Sequence, residues 1–301
     1  MKPKVSIIIL NWNGFDDTKE CLGSLKKIDY PDHEIIIVDN GSTDGSAEKI
    51  RKEFPHVKLI VNSENLGFAE GNNIGIREAL KERPDHILLL NNDVVVKPDF
   101  LSGLVKAAGS ETECGIFGPK IYYLNNPNMI WFAGGMMSRW TGKPYNAGIN
   151  RRDNVIYSRA KQVDFISGCA MLIRAQVFND IGLLDADYFN NTEEVDFCLR
   201  ATANGHRSYY VPSSVIYHKV SSSMGGMFSP FYVYYQTRNI LLLNKKNHIS
   251  KMMFWPSILL SFSRRIVYFA LTGRFESIIA VFLGLKDFFK GIYGKSKAFS
   301  K

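Results

Sequence analysis

The chain has 301 residues and a mass of 34.1 kDa, and 46% of its residues are hydrophobic, enough to fill one large core or two modest ones. Disorder as the main state is therefore excluded. The formal net charge of +8 suggests nucleic acid until it is divided: residues 1–218 hold 24 Lys+Arg against 27 Asp+Glu, a net of −3, whereas residues 219–301 hold 13 against 2, a net of +11. A basic tail on a slightly acidic body, with no recognised binding module, argues against a nucleic-acid binder. Cys21, Cys114, Cys169 and Cys198 form no C-x-x-C pair, so neither a disulfide framework nor a cysteine zinc site is suggested, and a reducing compartment fits best. The opening Met1-Lys2-Pro3-Lys4-Val5 enters a strand-like run with no long apolar stretch or cleavage site, so a cytosolic setting without a secretory signal is expected.

In chain order, Val5 to Leu10, Ile35 to Val38 and Ile87 to Leu90 are short, continuously apolar runs that end in polar residues. Such runs fit strands buried on both faces of a parallel sheet. Between them, Asp16 to Ile28 and Ser46 to Phe54 carry Thr18, Leu22 and Leu25, then Ala47, Ile50 and Phe54, at helical spacing. The order β-α-β-α-β predicts a doubly wound, mostly parallel sheet of the nucleotide-binding type in the first hundred residues. Ligands of such sheets sit beyond the carboxyl ends of the strands. The polar clusters fall there: Asn11-Trp12-Asn13-Gly14, Asp39 to Ser46, and Asn91-Asn92-Asp93.

Residues 110–160 are less periodic and read as an irregular substrate-side insertion with some strand. A mixed apolar run from Val163 to Arg174 and a turn at Gly182 to Asp185 follow, and Glu193-Glu194-Val195-Asp196 opens a helix to Ala203. Ser208 to Val211 is the expected last core strand, with Ile216-Tyr217-His218 after Pro212. Phe231 to Lys246 predicts a Tyr-rich helix closing over the site. Residues 251–271 and 276–290 are amphipathic: Arg264 and Arg265 interrupt the first, and Ile278, Val281, Phe282, Leu285, Phe288 and Phe289 stripe the second. Neither reaches the roughly 18 uncharged residues of a spanning helix. An interfacial helix on anionic lipid, or packing on the core or a second subunit, are the two readings of this tail.

Each polar cluster has a plain reading beside a chemical one. Asp39, before a Gly-rich turn into a helix, suits a base N–H or ribose hydroxyl with phosphate at the helix N-terminus; equally, Ser42, Thr43 and Asp44 are good helix caps. No G-x-G-x-x-G and no P-loop lysine are present, which removes the mechanism of dinucleotide and NTPase readings. Asp93 offers Mg²⁺ or Mn²⁺ a hard oxygen ligand, or ends an Asx turn. Glu193, Glu194 and Asp196 oppose a helix dipole, or supply a general base whose pKa is raised by crowding. His218 is a structural histidine or a third metal ligand.

Taken together, these blocks resemble the inverting GT-A glycosyltransferases of family 2, and most closely their rhamnosyltransferase-like branch. The stretches that carry the resemblance are Val5 to Gly14, Val38 to Ser46, Asn65 to Gly75, Leu89 to Asp93, Gly168 to Arg174 and Glu193 to Arg200, in the family's order over about residues 4–240. The resemblance implies that Asp39, with Asn11 and Trp12, receives the nucleoside of a sugar nucleotide. Asn65, Gly67, Phe68, Gly71, Asn72 and Asn92 border the nucleotide and donor sugar, with Asn73 also placed for polar contact. Asp93 matches the last acid of the family's D-x-D motif and His218 a histidine that often completes the metal site, with Mg²⁺ or Mn²⁺ as the implied cofactor. Asn91 departs from the pattern, where many members have Asp; one fewer charge weakens metal binding. Glu194 matches the proposed general base, with Glu193 as fallback, and Arg200 reads as an anchor or ion-pair partner of the acids.

The expected organisation is a transferase unit over 1–240 and a basic amphipathic helical tail over 241–301. The expected activity moves a sugar, from dTDP-rhamnose or a UDP-sugar, to a glycan or lipid-linked acceptor in cell-surface polysaccharide synthesis. The enzyme would be peripheral on the inner face of the cell membrane. A nucleotidyltransferase would need a basic triphosphate loop, and the Asn11 to Gly14 loop has no basic residue. A catalytically inactive sugar-nucleotide-binding or scaffold subunit is the alternative that Asn91 keeps open.

Overall fold

The computed structural model describes residues 2–220, 226–249 and 252–299. Its first half alternates strand and helix: β1 (Val5–Asn11), α1 (Phe15–Leu25), β2 (His33–Asp39), α2 (Ser46–Glu53), β3 (Lys58–Val61), α3 (Gly67–Leu80), β4 (His86–Asn91), β5 (Val94–Val96) and α4 (Phe100–Ser110). The second half brings β6 (Cys114–Tyr123), β7 (Asn126–Phe132), β8 (Gly135–Met137), β9 (Pro144–Asn146), β10 (Arg151–Arg152), β11 (Lys161–Val163), β12 (Ala170–Arg174), α5 (Ala175–Ile181), α6 (Glu193–Ala203) and β13 (Arg207–His218). Three helices follow: α7 (Pro230–Lys246), α8 (Phe254–Leu271) and α9 (Phe275–Lys290).

β3, β2, β1 and β4 lie side by side and parallel, which is the doubly wound half expected from the apolar runs. Ile7, Ile8 and Ile9 are fully buried, because helices cover both faces of this half. Beyond β4 the sheet turns mixed: β12 runs antiparallel to both β4 and β6, while β13 runs parallel to β6. The tract 110–160 is thus more regular than its composition suggests. β13 is one long strand whose register against β6 shifts between Val211 and Val215, around Pro212, a residue that cannot donate to the ladder.

α3 escapes the periodicity reading because three glycines and two asparagines depress helix propensity over Gly67–Leu80. Packing decides instead. A Cβ on Gly75 would stand 2.5 Å from Ile8 Cγ2, so the helix lies directly on β1 because its facing residues lack side chains. Gly75→Val is accordingly expected to destabilise the protein by about 1–3 kcal/mol in urea denaturation, through overpacking. An unchanged midpoint would contradict this contact.

α7, α8 and α9 share a second apolar cluster that includes Tyr234, Tyr235, Leu241, Phe254, Phe262 and Val281. Helix α7 runs unbroken through position 240. No helix among the described residues is long and apolar enough to cross a membrane.

Candidate active site

The parallel register sets Asn11 beside Asp39 and Leu10 beside Asn91, so the carboxyl ends of β1, β2 and β4 form one rim. Asp39 is fully buried. Its carboxylate accepts from Asn11 Nδ2 at 2.6 Å and from the Ser42 amide at 3.0 Å, while Asn11 Oδ1 accepts from the Thr18 hydroxyl at 2.8 Å. This network fixes the acid at the strand end, with no ion-pair partner among the described residues. Trp12, the next residue after Asn11, is half-buried. Asn92 braces β4 against the β1–α1 loop, donating to Thr18 Oγ1 at 3.1 Å and to the Gly14 carbonyl at 3.3 Å.

Asn40 is a hub that the sequence reading did not single out. Its amide donates to Asn65 Oδ1 and to the Gly67 carbonyl, and its oxygen accepts from Asn62 Nδ2 and the Leu66 amide. These bonds tie β2 to the start of α3. Gly67 has φ +79°, and a Cβ there would lie 2.4 Å from the Phe189 carbonyl, so the position needs glycine on both counts. That carbonyl accepts the Phe68 amide at 2.7 Å. Asn72 is buried and donates within its own helix to the Phe68 carbonyl; Asn73 bonds both backbone groups of Leu184. Asn73 therefore anchors α3 to the Gly182–Leu184 turn and not to the rim.

Two residues past β4, Asp93 Oδ1 lies 3.1 Å from His218 Nε2, because β13 pairs antiparallel with β5 and delivers its last residue there. The Trp131 ring meets the imidazole edge-on at 4.5 Å. Burial works against the imidazolium, but Cys169 and the Asp93 carboxylate favour it, and the balance raises its pKa. Among the described residues no three His, Cys, Asp or Glu side chains converge as a metal site. The Asp93 carboxylate suits Mg²⁺ or Mn²⁺, the His218 imidazole favours the softer Mn²⁺ of the two, and the half-buried Asn91 stands at the end of β4. Such a donor set fits an ion that shares its coordination sphere with substrate phosphates, not one held by protein alone.

The acidic cluster opens α6 as expected, and its three acids separate by environment. Asp196 is buried and accepts from Tyr188 OH, Arg200 Nε and Asn247 Nδ2 at 3.1, 2.8 and 2.8 Å. It is a structural acid, and Arg200, which also donates to the Ile181 and Leu183 carbonyls, is the anchor the sequence suggested. Glu193 is buried with Oε2 unpaired; burial and the Glu194 charge hold its pKa well above the usual carboxylate range. Glu194 is half-buried, and desolvation raises its pKa against the backbone amides of the helix start. A Cβ on Gly168 would touch the Phe68 ring at 3.1 Å and Glu194 Cβ at 3.6 Å, while the next carbonyl, that of Cys169, accepts the Asn91 amide at 2.9 Å. Gly168-Cys169 thus joins the strand-end rim to Glu194.

The loop that leads into α6 is strained: Phe189, Asn191 and Thr192 have φ +62°, +70° and +83°. α7 holds it. Arg238, fully buried, donates to the carbonyls of Asp187 and Tyr188, and Asn239 Nδ2 donates to those of Tyr188, Asn190 and Asn191. The Tyr-rich helix with its Arg238-Asn239 pair, a segment also seen in similar enzymes, is expected near the site; that the pair clamps this loop depends on partners about 50 residues away, which spacing does not reveal.

The sequence profile described as Glycosyl transferase family 2 matches residues 6–182, more than half of the chain. The chain belongs to glycosyl transferase family 2. Among curated proteins, the N-acetylglucosaminyl-diphospho-decaprenol L-rhamnosyltransferase of Mycobacterium tuberculosis is 28% identical over 212 residues, 64% of this chain and 68% of that protein. Rhamnosyltransferase WbbL of Escherichia coli is 28% identical over 262 residues, 83% of this chain and 96% of that one. Among solved structures, the mannosyltransferase PcManGT from Pyrobaculum calidifontis, in complex with GDP-Man and Mn²⁺, aligns with a TM-score of 0.57 and 14% identity, covering 96% of this chain and 88% of that one. This family-2 protein is a glycosyltransferase with the GT-A fold, and its relatives include members of the rhamnosyltransferase-like branch. The family match ends before α6 and β13, so Glu193, Glu194 and His218 rest on the sequence resemblance and on their geometry.

Proposed function

We propose that this enzyme transfers a sugar, with inversion, from a nucleotide-sugar donor to a hydroxyl of a glycan or lipid-linked acceptor in cell-surface polysaccharide synthesis. The observation that carries this reading is the strand-end rim with Asp39 and Asp93, joined towards Glu194 by the Asn91 to Cys169 bond and the close packing at Gly168. Asp39 and Asn11 take the nucleoside, with Trp12, Asn65, Gly67, Phe68, Asn72 and the braced Asn92 around the donor. Glu194, with Glu193 as fallback, takes the proton from the acceptor hydroxyl while that oxygen attacks the anomeric carbon opposite the diphosphate. The bond from the anomeric carbon to the diphosphate breaks in the same displacement, so configuration inverts once. Asp93 and His218, with Asn91, hold a divalent cation, which when bound supplies positive charge for the departing diphosphate. The rhamnosyltransferase names among the relatives support dTDP-rhamnose as donor, with UDP-sugars next, and the activities those names state favour an enzyme over the inactive scaffold.

Residues 1–240 are read as the transferase unit and 241–301 as its tail. Leu259, Leu260, Leu271, Phe275, Phe282 and Phe289 are all exposed on α8 and α9. With 11 Lys+Arg against 2 Asp+Glu over residues 241–301, a net of +9, this face is complementary to an anionic lipid surface, which supports a cytoplasmic enzyme peripheral on the membrane. For the metal end, Asp93→Ala is expected to weaken nucleoside diphosphate binding about tenfold or more in Mn²⁺, and by less than about twofold in EDTA, by isothermal titration. Equal affinities of wild type and variant in Mn²⁺ would remove Asp93 from the site.

A further inference from the structure

Among the described residues, Lys143 and Arg265 are a pair of cations without an acidic partner. Lys143 lies just before β9, and its Nζ donates to Ser261 Oγ at 2.8 Å and to the Ser257 carbonyl at 3.3 Å, both on α8. Arg265 follows Ser261 by four residues, so Ser257, Ser261 and Arg265 line one stripe of that helix. Neither cation has a carboxylate within 4.0 Å among the described residues, and the remaining positions, 1, 221–225, 250, 251, 300 and 301, include no Asp or Glu. Both side chains are partly buried. Burial and the Arg265 charge together lower the Lys143 pKa, and burial lowers that of Arg265. Anchoring the β8–β9 hairpin to α8 needs only the Lys143 bonds; a second like charge beside them is an electrostatic cost that packing does not explain.

α8, which carries Arg265, shares an apolar cluster with α7 and with Phe189 of the loop that leads to Glu194. Tyr232 on α7 is within electrostatic reach of both Arg265 and Glu194: burial raises the phenol's pKa, Arg265 lowers it and Glu194 raises it further. Three residues along, Tyr235 stacks on Phe189 at 5.1 Å, at the start of the strained loop that leads to Glu194. On the other side, α8 exposes Leu259 and Leu260, 63% and 52% accessible.

We propose that Lys143 and Arg265 bind a phosphate or diphosphate ester of the acceptor, whose sugar then faces Glu194 and whose lipid lies along the apolar side of α8. The guanidinium fork suits two phosphate oxygens and the ammonium a third. This rests on the glycosyl-transfer reading and narrows the acceptor to a glycan joined to lipid through phosphate, as against a free sugar.

The test titrates the full chain, with dTDP and Mn²⁺ filling the donor end, against farnesyl diphosphate, farnesol and phosphatidylglycerol vesicles. The wild type is expected to bind farnesyl diphosphate at least about tenfold more tightly than farnesol. Arg265→Gln and Lys143→Gln each lose about tenfold for the diphosphate and nothing for farnesol, while Arg265→Lys, which keeps the charge but not the fork, loses less than Arg265→Gln. Wild-type affinity in Arg265→Gln, or a loss confined to the vesicles, would overturn the proposal. Should Arg265→Gln fail to fold by circular dichroism, Lys143→Gln supplies the same comparison, with the same losses expected. Nucleotide binding without discrimination between farnesyl diphosphate and farnesol defeats this inference alone; absence of any dTDP or UDP binding defeats the transfer reading, and this inference with it.

Discussion

Glu194→Gln is expected to lower kcat by about three orders of magnitude while leaving affinity for the nucleoside diphosphate within about twofold. The amide keeps the shape and polarity of the carboxylate but cannot take a proton from the acceptor hydroxyl. Because desolvation raises the Glu194 pKa, the wild-type rate should climb with pH through a value above the ordinary carboxylate range. The sign follows from the chemistry: the base works only when ionised, so activity is lost as pH falls through the folded-state value. Glu193→Gln is the internal comparison. Its carboxyl is buried and disfavours ionisation more strongly, so it is the poorer base and its replacement should cost much less in kcat. A large loss in Glu193→Gln with an active Glu194→Gln would move the role to Glu193.

Arg238→Met is expected to cost about 3 kcal/mol or more in unfolding free energy, measured by urea denaturation. The guanidinium is fully buried and donates to Asn239 Oδ1 and to the carbonyls of Gly294, Asp187 and Tyr188 at 2.7–3.0 Å. The Tyr235 ring centroid lies 4.9 Å away. A methionine fills most of the volume but leaves those acceptors buried without donors. The clamped segment leads into α6, so the loss should reach activity as well, through kcat and not through nucleotide affinity. Asn239→Ala tests the same clamp from the next residue. If both variants keep wild-type stability and kcat, the positive-φ run at Phe189 to Thr192 is held by other contacts.

The legible parts of the fold are those where a local pattern and its tertiary outcome agree. Val5 to Leu10 and Ile87 to Leu90 read as buried strands because helices cover both faces, leaving no alternation of polar and apolar positions. Glu193 to Ala203 read as a helix because acids favour its first turn. α3 was hidden for the opposite reason: its glycines cost helix propensity and are used to approach β1. The site shows the same division. Asp39, Asp93 and Glu194 stand at element ends, where the doubly wound topology brings ligands. Arg238, Lys143 and Arg265 gain their meaning only from partners far away in the chain. Asn73, which looked equivalent to Asn72, is bonded to the Leu184 backbone, a contact 111 residues away that no spacing rule reveals.

The central claim is turnover of a sugar nucleotide by this rim of acids. It is tested most directly by nucleoside diphosphate release from dTDP-, UDP- and GDP-sugars, each with Mg²⁺, Mn²⁺ or EDTA. Release from one donor class, dependent on the metal and abolished in both Glu194→Gln and Asp93→Ala, is the predicted result. No binding and no release with any of these donors would contradict it.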